Sequence, residues 1–201
     1  CRLGALELDR QVVALARRLG LPVLQLPPHL DRLVGELVGR VLVADAVAQG
    51  ARLVVLPEYF PIIGAIDADR VRAGEQFGDG PIQAWLAETA RRHDIWLFAG
   101  SIPLAASTPD KMRNSSLVFN PAGECVKRYD KVHLFGFSKG DESYDEASFI
   151  EPGDQLAAVD TPFGRVALSI CYDLRFPELY RALAPVDLIL VPAAFTETTG
   201  R

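Results

Sequence analysis

Three residues of this sequence stand where an apolar, strand-like run gives out, and each carries a side chain able to do chemistry. Glu58 follows Leu53-Val54-Val55-Leu56-Pro57, Cys171 follows Val166-Ala167-Leu168-Ser169-Ile170, and Lys131 closes the strand-like segment Val126 to Tyr129. Ligand sites of α/β sheets gather outside strand ends, so three such residues can converge. The set matches what amide hydrolysis by a thiol requires. The thiol must give up its proton to attack, and a neighbouring carboxylate can take it, more readily if burial raises its own pKa. A lysine ammonium can then hold the oxyanion formed at the attacked carbonyl. Singly, each residue has a plainer explanation: a buried structural cysteine, a solvated loop carboxylate, a surface charge. The reading rests on the three together. Cys125, inside a hairpin strand, fits the plain description of a buried structural cysteine.

The surrounding pattern supplies elements that would position them. From Leu33 to Val47 the apolar residues follow a helical period, and Gly50 stops the helix. Leu53-Val54-Val55-Leu56 reads as a strand buried on both faces. Gly80-Pro81 opens a second helix through His93, and Ile95 to Ile102 is the next buried strand. Ser115–Asn120 and Glu124–Tyr129 flank Pro121-Ala122-Gly123 as a β-hairpin. The polar segment from Ser138 to Asp154 is long for a connection, and long loops are often functional. Gln155–Asp160 and Arg165–Ile170 form another hairpin, followed by a helix from about Phe176 to Leu183 and a strand Leu188–Val191. Helices and hairpins alternating around a mixed sheet give a layered α/β architecture with one helical face.

Composition narrows the function classes. The 201 residues suit one α/β domain, with no internal repeat. A net charge of −5 argues against nucleic acid as a partner. No apolar run approaches the roughly 18 to 20 residues needed to span a bilayer, so no membrane role is expected. Cys1, Cys125 and Cys171 are far apart and form no CxxC pair, which fits a reducing cytoplasm and gives no zinc spacing. The opening Cys1-Arg2-Leu3-Gly4 lacks a methionine, as expected of a fragment rather than a processed secreted protein.

Three stretches carry a family resemblance: Leu56-Pro57-Glu58-Tyr59-Phe60, Arg128-Tyr129-Asp130-Lys131-Val132-His133-Leu134-Phe135, and Cys171-Tyr172-Asp173-Leu174-Arg175-Phe176-Pro177-Glu178-Leu179. In order and spacing they resemble the nitrilase (carbon–nitrogen hydrolase) superfamily, from about Gly39 to Arg201. The resemblance implies an α-β-β-α sandwich and a cofactor-free, metal-free Glu–Lys–Cys triad. Glu58 would be the general base, Lys131 the oxyanion stabiliser, and Cys171 the nucleophile that passes through a thioester. A second glutamate that positions the lysine would be Glu146, counting back from Pro152-Gly153-Asp154, with Glu142 as competitor. The backbone N–H of Tyr172 would be a second oxyanion donor. The run from Cys171 to Glu178 and Ala194-Phe195-Thr196-Glu197-Thr198-Thr199-Gly200 look most like the ω-amidase and deaminated glutathione amidase branches. That implies a small-molecule amide bearing a carboxylate as substrate. Arg175 could hold that carboxylate, although a bridge from Arg175 to Asp173 or Glu178 is the plainer expectation. Phe60, Phe135 and Phe195 are candidates to line the pocket. The superfamily commonly pairs subunits, so a homo-oligomer is compatible with the resemblance.

Both ends depart from the pattern. The family opens with a strand feeding a helix; Leu21–Leu26 could be that strand, but helical-looking Leu6–Leu19 and Pro27-Pro28-His29-Leu30 make residues 1–30 an atypical segment. At Arg201 the family would continue, so the sandwich is expected to lack its C-terminal elements. Two other readings follow. One is a catalytically impaired fragment or non-catalytic homologue. The other is a Cys–His hydrolase using His133, which in a strand-like run beside Lys131 is expected on the opposite face. Nothing resembles a peptide groove, a phosphate loop or a basic nucleic-acid surface.

Overall fold

A computed structural model describes residues 39–62, 66–139 and 142–195. The atypical N-terminal segment and the residues from Thr196 onward lie outside the described residues, as does the start of the helix expected from Leu33. The described part of that helix, α1, covers residues 39–48. It ends as expected at Gly50, whose φ of 89° only glycine adopts at no steric cost.

Among the described residues ten strands follow, in two sheets and a separate hairpin. The first sheet contains β1 (Leu53–Val55), β2 (Trp96–Phe98), β3 (Ile102–Ala105), β4 (Met112–Phe119) and β5 (Cys125–Asp130). Strands β1 and β2 are parallel. The long β4 is antiparallel to β2 at one end, to β3 at the other, and to β5 along its opposite edge. The second sheet runs β10 (Leu188–Leu190), β9 (Gly164–Leu168), β8 (Ala158–Thr161), with β8 and β9 forming the expected hairpin. Within the long polar segment, β6 (Gly136–Lys139) and β7 (Glu142–Asp145) pair as a further hairpin, which leads into a 3-10 turn at Glu146–Ser148.

Period-two alternation explains how the first sheet packs on both faces. Leu97, Leu117 and Phe119 point to one side, into a core shared with Val43 of α1 and with Ile82, Trp85, Leu86 and Ala90 of α3 (Pro81–His93). Phe98, Val118 and Tyr129 point to the other, into a core shared with Val166, Ala167 and Leu168 of the second sheet. Helix α4 (Pro177–Leu183) joins that second core through Leu179 and Leu183. The result is the α-β-β-α sandwich. A single mixed sheet with one helical face is therefore corrected to two sheets, because strands buried on both faces need a partner layer on each side. A short helix α2 (Asp67–Arg72), unanticipated from the sequence, lies between β1 and α3.

The run Ile95–Ile102 was expected to be one strand and is two. The chain turns at Gly100, where φ is 60° and an added Cβ would stand 2.0 Å from the carbonyl oxygen of Pro57. The Ser101 N–H donates to that same oxygen at 3.3 Å, and the Ser101 hydroxyl accepts the Tyr59 N–H at 3.1 Å. This close approach pins the turn that carries Glu58 against the β2–β3 junction. Gly100→Ala should accordingly cost at least about 2 kcal/mol, since strain and backbone overlap add. Chemical denaturation of the variant against the parent chain checks this; an unchanged midpoint would show that the turn can move aside.

Candidate active site

The three strand-end residues come from both sheets and meet at the seam between them. Glu58 follows β1 and Lys131 follows β5, both of the first sheet; Cys171 follows β9 of the second. All three are buried, with Glu58 2%, Lys131 0% and Cys171 9% exposed. A lone ammonium so placed would lose several kcal/mol of hydration. Here the Lys131 Nζ donates to both oxygens of Glu146, at 2.8 and 3.0 Å, and lies 3.5 Å from Glu58 Oε1. Glu146, in the 3-10 turn after β7, is itself buried and accepts the Phe135 N–H at 2.7 Å. Of the two candidates for a second glutamate, it is therefore Glu146 whose carboxylate meets the lysine. Glu142 begins β7.

The Glu58 carboxylate is held at both oxygens. Oε1 accepts the Asn114 amide at 3.0 Å, and Oε2 accepts the Ala194 N–H at 2.8 Å. Cys171 opens a 3-10 turn (Cys171–Arg175) with a positive φ of 49°, a strained conformation for a residue with a side chain. Its N–H donates to Pro192 O at 2.9 Å, fastening the turn to the end of β10.

These groups shift one another. Burial pushes the Cys171 thiol up, Glu58 adds to the rise, and Lys131 opposes it, leaving the thiol at about 12. Burial works against the charge of Lys131, but Glu58, Glu146 and Cys171 outweigh it, and the ammonium titrates above its ordinary range. Burial raises Glu146, with Lys131 pulling it back. In the resting site the thiol is thus protonated beside Glu58, and the ammonium is kept charged.

A carboxylate absent from the sequence-based candidates ties this arrangement together. Asp173 is fully buried and accepts four hydrogen bonds. They come from the Tyr129 hydroxyl at 2.7 Å, the Ile170 N–H at 2.8 Å, and the His133 N–H and Nδ1 at 3.0 and 2.7 Å. The imidazole of His133 also stacks on Phe176, with ring centroids 3.7 Å apart. It is engaged with Asp173, which leaves the Cys–His reading without support. Strand alternation is not the reason: β5 stops at Asp130, so no regular strand runs through His133.

The remaining candidates separate. Phe60 packs on Trp85 in the first core. Phe135 meets Tyr172 edge-on at 5.3 Å, and Tyr172 meets Phe176. Phe195 packs against the second core. Arg175 is exposed and, among the described residues, bridges neither expected partner: Asp173 is taken by Tyr129 and His133, and Glu178 by Arg181. Cys125 is exposed, not buried, because its strand β5 lies at a sheet edge. The described residues contain no helix long and apolar enough to cross a membrane.

Comparison with known proteins agrees with this geometry. Residues 22–198 match the model of the carbon-nitrogen hydrolase family. The chain is 42% identical over 156 residues to a deaminated glutathione amidase from Yersinia enterocolitica, covering 75% of this chain and 54% of that protein. It is 35% identical over 170 residues to the omega-amidase NIT2 of Homo sapiens, covering 79% and 57%. Among solved structures, the C. elegans NitFhit protein superposes with a TM-score of 0.75 at 32% identity, covering 85% of this chain and 42% of that one. A glutamate-to-glutamine mutant of an amidase from Nesterenkonia sp. AN1, with acrylamide added at its active-site cysteine, superposes with a TM-score of 0.67 at 26% identity, covering 84% and 62%. The chain thus spans a little over half the length of these two relatives.

The raised thiol has a consequence for stability. A folded-state pKa of about 12 against an ordinary 9.0 favours the folded chain below pH 9, and that preference is lost as pH rises toward 12. Wild type should therefore lose stability relative to Cys171→Ala above pH 9, by roughly 1 kcal/mol per pH unit. Urea unfolding of both proteins at neutral and alkaline pH measures it. With two sheets, a buried carboxylate–ammonium–thiol group at their seam and a family match over most of its length, the chain belongs to the carbon-nitrogen hydrolase family of the nitrilase superfamily.

Proposed function

We propose that this chain hydrolyses the C–N bond of a small carboxylated amide through a thioester on Cys171. The observation that carries the reading is the buried Lys131 ammonium between Glu58 and Glu146, with the Cys171 thiol under the influence of Glu58. Glu58 takes the thiol proton as Sγ attacks the carbonyl carbon, and the displaced electron pair goes to the carbonyl oxygen. Lys131 and the N–H of Tyr172 hold that oxyanion. In support, Tyr172 stands at the start of a 3-10 turn, and its N–H has no protein acceptor among the described residues. The oxyanion then collapses, the C–N bond breaks, and the departing nitrogen takes the proton from Glu58. Water, losing a proton to Glu58, attacks the thioester carbonyl; the C–S bond then breaks, the Cys171 thiolate takes that proton back from Glu58, and the carboxylic acid is released. Glu146 holds Lys131 in place throughout.

Substrate choice rests on less. Exposed Arg175 is free to pair with a substrate carboxylate. Tyr172 and Phe195 are assigned to the pocket wall beside the turn. The names of the relatives, a deaminated glutathione amidase and an omega-amidase, support amides of small carboxylated compounds. A reducing compartment such as the cytoplasm suits a mechanism that needs a free thiol.

Intact-mass spectrometry and ammonia release with glutaramate-type and deaminated-glutathione amides test the proposal. Wild type should release ammonia and carry a trapped acyl group on Cys171, and Cys171→Ala should do neither. Glu58→Gln and Lys131→Met should each lower the rate by about 100-fold or more. A folded wild-type chain that yields neither ammonia nor adduct would mark a non-catalytic member of the family.

A further inference from the structure

Asn114 occupies an improbable place for its residue type. It lies within β4, the strand bordered on both sides in the first sheet, and it is fully buried. Asparagine is disfavoured in strands, and burial demands partners for its whole amide. Only half of that demand is met. The Nδ2 group donates to Glu58 Oε1 at 3.0 Å, whereas Oδ1 has no protein donor among the described residues. Turning the amide over would set Oδ1 against the Glu58 carboxylate and repel it. The orientation found is the one that places a donor on Glu58.

The same residue reaches the lysine through its backbone. The Asn114 carbonyl accepts the Lys131 N–H at 2.9 Å, one step beyond the Ser115–Asp130 pair of β4 and β5. A valine or threonine at this position would suit the strand better and leave no orphan acceptor. Local rules broken in this way are concentrated where function needs them.

We infer that Asn114 is a positioning residue for the reaction: its side chain holds the Glu58 carboxyl turned toward Cys171, while its backbone sets the height of Lys131. The inference rests on the Glu58–Lys131–Cys171 reading above. Facing Glu58 are Lys131 after β5, Glu146 from the 3-10 turn, Cys171 on the nucleophile turn, and Tyr59 beside it. Among the described side chains, Asn114 is the uncharged donor to its carboxylate.

The test follows modification of Cys171 by methyl methanethiosulfonate, a probe that carries no amide to be hydrolysed, from about pH 4 to 8, read by peptide mass, in the full chain. Asn114→Ala and the near-isosteric Asn114→Asp are compared with wild type and with Glu58→Gln. In wild type the rate should fall on the acid side, and Glu58→Gln should be slow and flat. In Asn114→Ala the acid limb should move up by about one pH unit, and in Asn114→Asp further, since a second carboxyl disfavours the charge of the first. A limb that stays in place, with rates scaled down evenly by loss of folded protein, would leave Asn114 a purely structural residue and overturn the inference. A Glu58→Gln profile identical to wild type would instead remove Glu58 as the base, and with it the earlier reading on which this one stands.

Discussion

The constraint on which this structure turns is a fully buried ammonium. Lys131 cannot be dehydrated alone, so the fold must bring anionic oxygen to it from elsewhere. Glu146 supplies two contacts from the turn after β7, and Glu58 a longer one from the turn after β1. The irregular stretch between β5 and β8 is organised around this need. Its hairpin β6–β7 returns the chain so that Glu146 faces the strand end it left. The two carboxylates are also buried, so each is acceptable only with the lysine present. The site is a set of groups that stabilise one another's charge, and the thiol is the neutral member.

The sandwich serves that set by offering strand ends from two sheets. Alternation along β2 and β4 sends Leu97 and Leu117 to the helices, and Phe98 and Val118 to the second sheet. The inter-sheet layer is apolar up to its rim, where the three reactive side chains and Asp173 replace it. Such a rim has a low dielectric on one side. That strengthens each ion pair and raises the cost of leaving any group unmatched.

Much of this was legible in the sequence, and the reasons differ by residue. Glu58 and Cys171 could be found because each ends a continuous apolar run, a pattern that marks a buried strand and its exit. The β-hairpins were legible from their turn residues. The break at Gly100 was not, although Gly100-Ser101 interrupts the apolar run, because the turn there depends on the nearness of Pro57, a contact distant in sequence. Asn114 and Asp173 escaped for a related reason. A buried polar residue is recognised by its partners, and theirs lie 56 and 44 or 40 positions away. The polar run Arg113-Asn114-Ser115-Ser116, set before apolar Leu117-Val118-Phe119, was the available signal. Cys125 illustrates the opposite error, since a sheet edge cannot be told from a centre by composition.

Asp173 binds the nucleophile turn to Tyr129 and His133 across a large span of chain. Closing such loops is entropically costly and is repaid only when the sheets have docked. Glu58, Lys131 and Cys171 therefore become neighbours only once both sheets have docked. Until then Cys171 is an ordinary cysteine on a mobile chain, without a base at hand. On the mechanism proposed above, chemical competence would thus be conferred at assembly, and a nascent or partly unfolded polypeptide would carry no adventitious acyl-transfer activity.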